Sequence, residues 1–102
     1  MSNHIISLPD GLHRDSANLV RDFAMALGEK LRAAEVKYGY GASWKKEDWQ
    51  AECIANLVTH LGKGDPRDVA AFCAFAWHHG WSVSPLVDDF GYLKPITKED
   101  VS

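Results

Sequence analysis

Apolar residues recur at helical spacing in three stretches of this chain, with polar residues on the opposing positions. In the first stretch Leu19, Phe23, Leu27 and Leu31 recur every four residues, flanked by Val20, Ala24 and Ala34. Arg21, Asp22, Lys30, Arg32 and Lys37 take the other face. That alternation predicts an amphipathic helix. Asp15 or Ser16 is placed to cap its start, and Gly39 and Gly41 stop it near Tyr38.

The second stretch predicts a helix from about Lys46 to Leu61. Trp49, Cys53, Leu57 and Leu61 form its apolar stripe, with Ile54 and Val58 beside it. Glu52, Asn56 and His60 form a parallel polar stripe, and Gly62 and Gly64 end the helix. The third helix opens on Asp65-Pro66-Arg67-Asp68. Asp65 suits an N-cap, Pro66 suits the first helical position, and Asp68 falls in the first turn, where the helix dipole favours a negative charge. Val69 to Trp77 is apolar on every face, as in a central helix or one buried against another chain, and Gly80 ends it after His78 and His79.

The predicted fold is therefore an all-α bundle of three main helices over residues 15–80. An N-terminal arm (1–14) precedes it, with a turn signal at Pro9-Asp10-Gly11. An irregular segment (81–102) follows, as either a short fourth helix over Pro85–Phe90 or an extended tail, with 96–102 frayed. Three helices hide a wholly apolar third one only with difficulty, so a homodimer is expected. The segment Lys37–Trp44, with Tyr38, Tyr40 and Trp44, serves either as a helix connection whose aromatics cover the core or as a base-stacking platform.

Composition narrows the class. The chain has 102 residues, 46% of them hydrophobic, enough for one folded domain and too apolar for a disordered chain. A net charge of −3 argues against a general nucleic-acid binder. The longest apolar run is far short of a membrane span, and the N-terminal residues lack the pattern of a signal peptide, so the cytoplasm is the expected location. The two cysteines, Cys53 and Cys73, lie in apolar helical segments and read as small buried hydrophobes.

The candidate chemistry is acidic. Asp48 and Glu52 are four apart, so on a helix they share a face, and Asp65 and Asp68 are three apart at the start of the next helix. Carboxylates converging from two helices suit Mg²⁺ or Mn²⁺, which hold phosphate oxygens and activate water. Capping alone also accounts for Asp65 and Asp68, and Asp48 reads equally as a first-turn charge.

The two pairs resemble a degenerate motif of the MazG-like, all-α nucleoside triphosphate pyrophosphatases, which carry Glu-Glu-x-x-Glu on one helix and Glu-x-x-Asp on the next. Asp48-Trp-Gln-Ala-Glu52 stands in the first place and, after twelve residues, Asp65-Pro-Arg-Asp68 stands in the second. Trp49 replaces one acid, aspartate replaces glutamate at 48 and 65, and Pro66 sets the second pair at a helix start. Residues 23–82 are also similar to small phage and prophage proteins carrying Lys-Tyr-Gly-Tyr, Gly-Asp-Pro and Trp-His-His-Gly-Trp. The first resemblance implies metal-dependent cleavage of a nucleotide between its α- and β-phosphates. Glu52 would be the catalytic residue and, with Asp68, a ligand to Mg²⁺ or Mn²⁺, with Asp48 and Asp65 as further ligands or as support behind them. By residue type alone, Lys63 or Lys37 would meet phosphate, and Tyr40 or Trp44 would stack on the base.

The histidines do not match a zinc pattern. His78 and His79 are adjacent and point about 100° apart on a helix, and they and His60 suit helix C-termini. P-loop, dinucleotide-binding and nucleophile-elbow motifs are missing. The rival expectation is a non-catalytic interaction protein that docks on a host protein through Trp77, Trp81, Phe90 and Tyr92.

Overall fold

The computed structural model describes residues 6–39, 41–84, 87 and 90–92. These residues form an all-α bundle: α1 (Arg14–Tyr38), a 3₁₀ turn (Ser43–Lys45), α2 (Gln50–Lys63) and α3 (Pro66–His79). Tyr40, most of the expected fourth helix and the segment 96–102 lie outside the described residues.

Helix α1 begins one residue before the expected caps. His13 caps it, its Nδ1 accepting the Asp15 backbone N–H at 3.0 Å. Gly39 closes the helix in the left-handed region, at φ 73°, and donates to Glu35 O.

The start of α2 corrects the sequence reading. Residues 43–45 make a separate 3₁₀ turn, and Asp48 adopts φ 65°, so the α-helix begins only at Gln50. Asp48 and Glu52 therefore do not share a helix face. Gly62 is accommodated within α2, and Gly64 caps it at φ 90°.

The start of α3 is as expected. Asp65 accepts the Arg67 backbone N–H at 2.9 Å, and Pro66 opens the helix. At the other end Gly80 turns at φ 72° and Trp81 N–H reaches back to Ala76 O at 2.9 Å, a Schellman closure.

Both α1 and α2 pack on α3. One core cluster joins Cys53, Ala71, Phe75 and Ala76, covered by Leu27, Leu31, Trp44, Trp49 and Trp81. The second joins Ile54 and Leu57, and Phe72 packs against both clusters. Burying a side chain such as Ile54 or Leu57 contributes about 2 kcal/mol by the hydrophobic effect.

Two expectations about burial fail. Cys73 is exposed, because it lies on the side of α3 that meets neither other helix, with Ala74 and Trp77. The apolar stripe of α1 also divides: Leu27 and Leu31 reach the core, but Leu19 is 68% and Phe23 37% exposed. The reason is length. Helix α1 has 25 residues, about 37 Å, against 14 residues and about 21 Å for each partner helix.

Candidate functional site

Helices α1 and α2 flank a cleft of about 510 Å³ whose floor is α3. Lys30, Lys37 and Tyr38 come from α1, Asn56, His60 and Lys63 from α2, and Asp68, Phe72 and Phe75 from α3. Lys30 and Lys37 are seven apart, two helical turns, so both fall on the face that α1 turns to the cleft. The polar positions Asn56 and His60, with Lys63, bring the opposite wall to the same space. A second pocket of about 320 Å³ shares Asn56, Phe72 and Phe75 with the cleft and is completed by Ser43, Trp44, Lys46 and Trp49. Cations and an aromatic floor thus adjoin a tryptophan-lined pocket, an arrangement suited to an anion that carries an aromatic ring.

The aromatic end is rigidly built. Trp44 stacks on Phe75 at 5.8 Å and 13°, and Trp49 lies against Phe75 and, edge-on, against Trp81. Trp49 Nε1 donates to Trp44 O at 3.2 Å, and His79 Nε2 lies 2.6 Å from the same oxygen. The expected role of Trp44 as a cover for the core is what the packing gives, and the same ring lines the pocket.

The acids are engaged by cations of the chain itself. Both oxygens of Asp65 accept from the Arg67 guanidinium, at 3.2 and 2.9 Å, and Oδ1 also caps α3. These hydrogen bonds hold the Asp65 carboxyl well below the usual carboxylate range, and they raise the Arg67 guanidinium in turn. Lys30 Nζ lies 3.5 Å from Asp65 Oδ2 and 3.5 Å from Asp68 Oδ1. The other oxygen of Asp68 is 3.5 Å from His60 Nδ1. That contact is an ion pair only when the ring is protonated. Nδ1 is buried and, among the described residues, makes no hydrogen bond, while the ring stacks on Phe72 at 5.2 Å.

Glu52 is exposed on α2, and Asp48 is exposed ahead of the helix. Among the described residues no three His, Cys, Asp or Glu side chains are gathered as a metal ion requires. As they stand, the donors that the resemblance assigns to Mg²⁺ or Mn²⁺ do not fit the ion: Asp65 and Asp68 already face nitrogen on both oxygens.

Lys37 and Lys63, the two lysines singled out by type, both line the cleft. Residue type alone passes over Lys30, His60 and Asn56. The signals that mark them are the Lys30–Lys37 spacing and the polar stripe through Asn56 and His60.

Of the expected partner-binding residues, Trp77 (84%), Phe90 (86%) and Tyr92 (71%) are exposed. Trp81 is half-buried, stacked on His79 at 4.1 Å and packed on the core. Burial pushes the Cys53 thiol up to about 11, with a smaller contribution from Cys73, and its Sγ contacts Phe72 O at 3.5 Å. It is a structural thiol. No described helix is long and apolar enough to cross a membrane.

No protein-family model, curated protein or solved structure matches this chain.

Proposed function

We propose that this chain binds nucleoside phosphates in the cleft between α1 and α2. The observation that carries the proposal is the lysine arrangement: Lys30, Lys37 and Lys63 border one cleft, with His60 and Asp68 beside them, and the cleft adjoins the Trp44 and Trp49 pocket. Phosphate oxygens suit lysine ammonium groups, and a base suits flat aromatic walls. The MazG-like resemblance supports the same ligand class. Metal-dependent pyrophosphohydrolysis is the stronger form of the reading and requires the acids to leave their present partners.

The test is titration with a panel of ribo- and deoxyribonucleoside triphosphates, followed by tryptophan emission, with pyrophosphate release measured in parallel. Saturable quenching that weakens about tenfold in Lys37→Ala and again in Lys63→Ala is expected. No binding by any nucleotide at about 1 mM, a −4 kcal/mol threshold, would overturn the proposal. Pyrophosphate release lost in Glu52→Gln would establish turnover.

A second reading, a helical interaction protein, is favoured by a different observation. Trp77, Leu19 and Met25 are each at least 68% exposed on well-formed helices. Under that reading α1 meets a second copy of the chain, as a homodimer, and Trp77 meets a host protein.

A further inference from the structure

The Lys30 ammonium of α1 lies between two carboxylates at the start of α3, where a cation shared by the pair would sit, 3.5 Å from each of Asp65 and Asp68. Arg67 completes the neutralisation of Asp65 from the other side. The pair is therefore satisfied without an added ion. Beyond this corner the cleft is cationic on both walls, with Lys37 on α1 and Lys63 on α2. Lys37 is further fixed over the Tyr38 ring, at 5.1 Å from its centroid.

A polyphosphate that arrives as its magnesium complex has part of its charge neutralised and some of its oxygens already coordinated. Such a ligand offers less to lysines than the bare anion does. It also brings a divalent cation toward an acid pair whose oxygens already face nitrogen.

We propose that the cleft takes its polyphosphate ligand as the metal-free anion, with Lys30 standing between Asp65 and Asp68 in place of a divalent cation. This rests on the nucleotide reading for the identity of the ligand. It adds that the chain's own ammonium groups replace the metal on which the resemblance depends.

The test uses the full chain and two probes, adenosine triphosphate and inorganic tripolyphosphate. Each is titrated calorimetrically at constant ionic strength, in EDTA and in excess Mg²⁺. Wild type should bind about tenfold more tightly in EDTA than in Mg²⁺. Lys30→Met keeps the apolar stem and removes the charge. It should lose about tenfold in EDTA and gain affinity when Mg²⁺ is added, because Asp65 and Asp68 then lack their shared cation. Binding by wild type only in Mg²⁺ would overturn the inference and leave the nucleotide reading standing. Absence of binding by both probes in both buffers would overturn both. Should Lys30→Met not fold, Lys30→Gln, which removes the charge but keeps a polar donor, takes its place with the same expected outcomes.

Discussion

His79 Nε2 lies 2.6 Å from the carbonyl oxygen of Trp44, joining the last turn of α3 to the 3₁₀ turn that precedes α2. A carbonyl only accepts, so Nε2 carries the proton and His79 is the donor. The contact spans 35 positions and holds the tryptophan end of the cleft in place. In His79→Leu the Trp44 oxygen keeps the Trp49 Nε1 bond, so no acceptor is stranded. The expected loss is about 1 kcal/mol, measured by urea unfolding, with a red-shifted tryptophan emission as the 3₁₀ turn loosens. Unchanged stability and unchanged emission would show that the contact holds nothing.

Asp48 tests the division between the acidic motif and the cleft. Its φ of 65° lies in the left-handed region, which aspartate tolerates and β-branched residues do not. Asp48→Gly relieves the backbone but loosens the unfolded chain, so stability should stay within about 0.5 kcal/mol of wild type. Asp48→Val should cost more than about 1 kcal/mol. Nucleotide affinity should be unchanged in Asp48→Gly. A loss of affinity there, with the melting temperature intact, would return Asp48 to the ligand site.

Local chemistry was legible in the sequence and long-range pairing was not. Asp65-Pro66 announces a capped helix, because both residues act on backbone groups within the same turn. Gly39 and Gly80 likewise end helices where the chain must turn left-handed. The break before Gln50 depends on Asp48 adopting a conformation that residue type permits but does not demand. The partners of the acids are harder still. Lys30 meets Asp65 across 35 positions, and His60 meets Asp68 from the helix before. Spacing within a helix places Asp65 and Asp68 on one turn, but it says nothing of the ammonium that arrives between them.

Acid should destabilise the fold partly through Asp65. Arg67 lowers its carboxyl by side-chain and backbone hydrogen bonds, more than desolvation raises it. The folded state therefore holds this proton less readily than the unfolded chain, whose aspartates titrate at about pH 3.9. The sign follows: the contribution is fully present above about pH 4 and is lost as pH falls toward the depressed value. Asp65→Asn keeps a cap acceptor but does not titrate. Melting temperatures measured from about pH 6 to pH 2 should therefore fall more steeply for wild type than for Asp65→Asn. Parallel curves would show that the Arg67 pairing adds no pH dependence.

The free end of α1 makes the last prediction. Leu19, Val20 and Phe23 are 68%, 41% and 37% exposed, at helical spacing, on a half-helix that overhangs the rest of the bundle. A helix gains most of its stability from tertiary packing of its apolar face, and among the described residues this portion has no such partner. The same stripe on a second copy, laid antiparallel about a two-fold axis, would cover both at once. Light scattering should give a dimer mass at micromolar concentration. Phe23→Glu and Leu19→Glu should each shift it to the monomer while leaving nucleotide binding intact, because neither residue borders the cleft. Dissociation accompanied by loss of binding would place a residue of the second copy in the site. A monomer in the wild type would leave the stripe to a different protein, and α1 used as bait against host proteins would then find it.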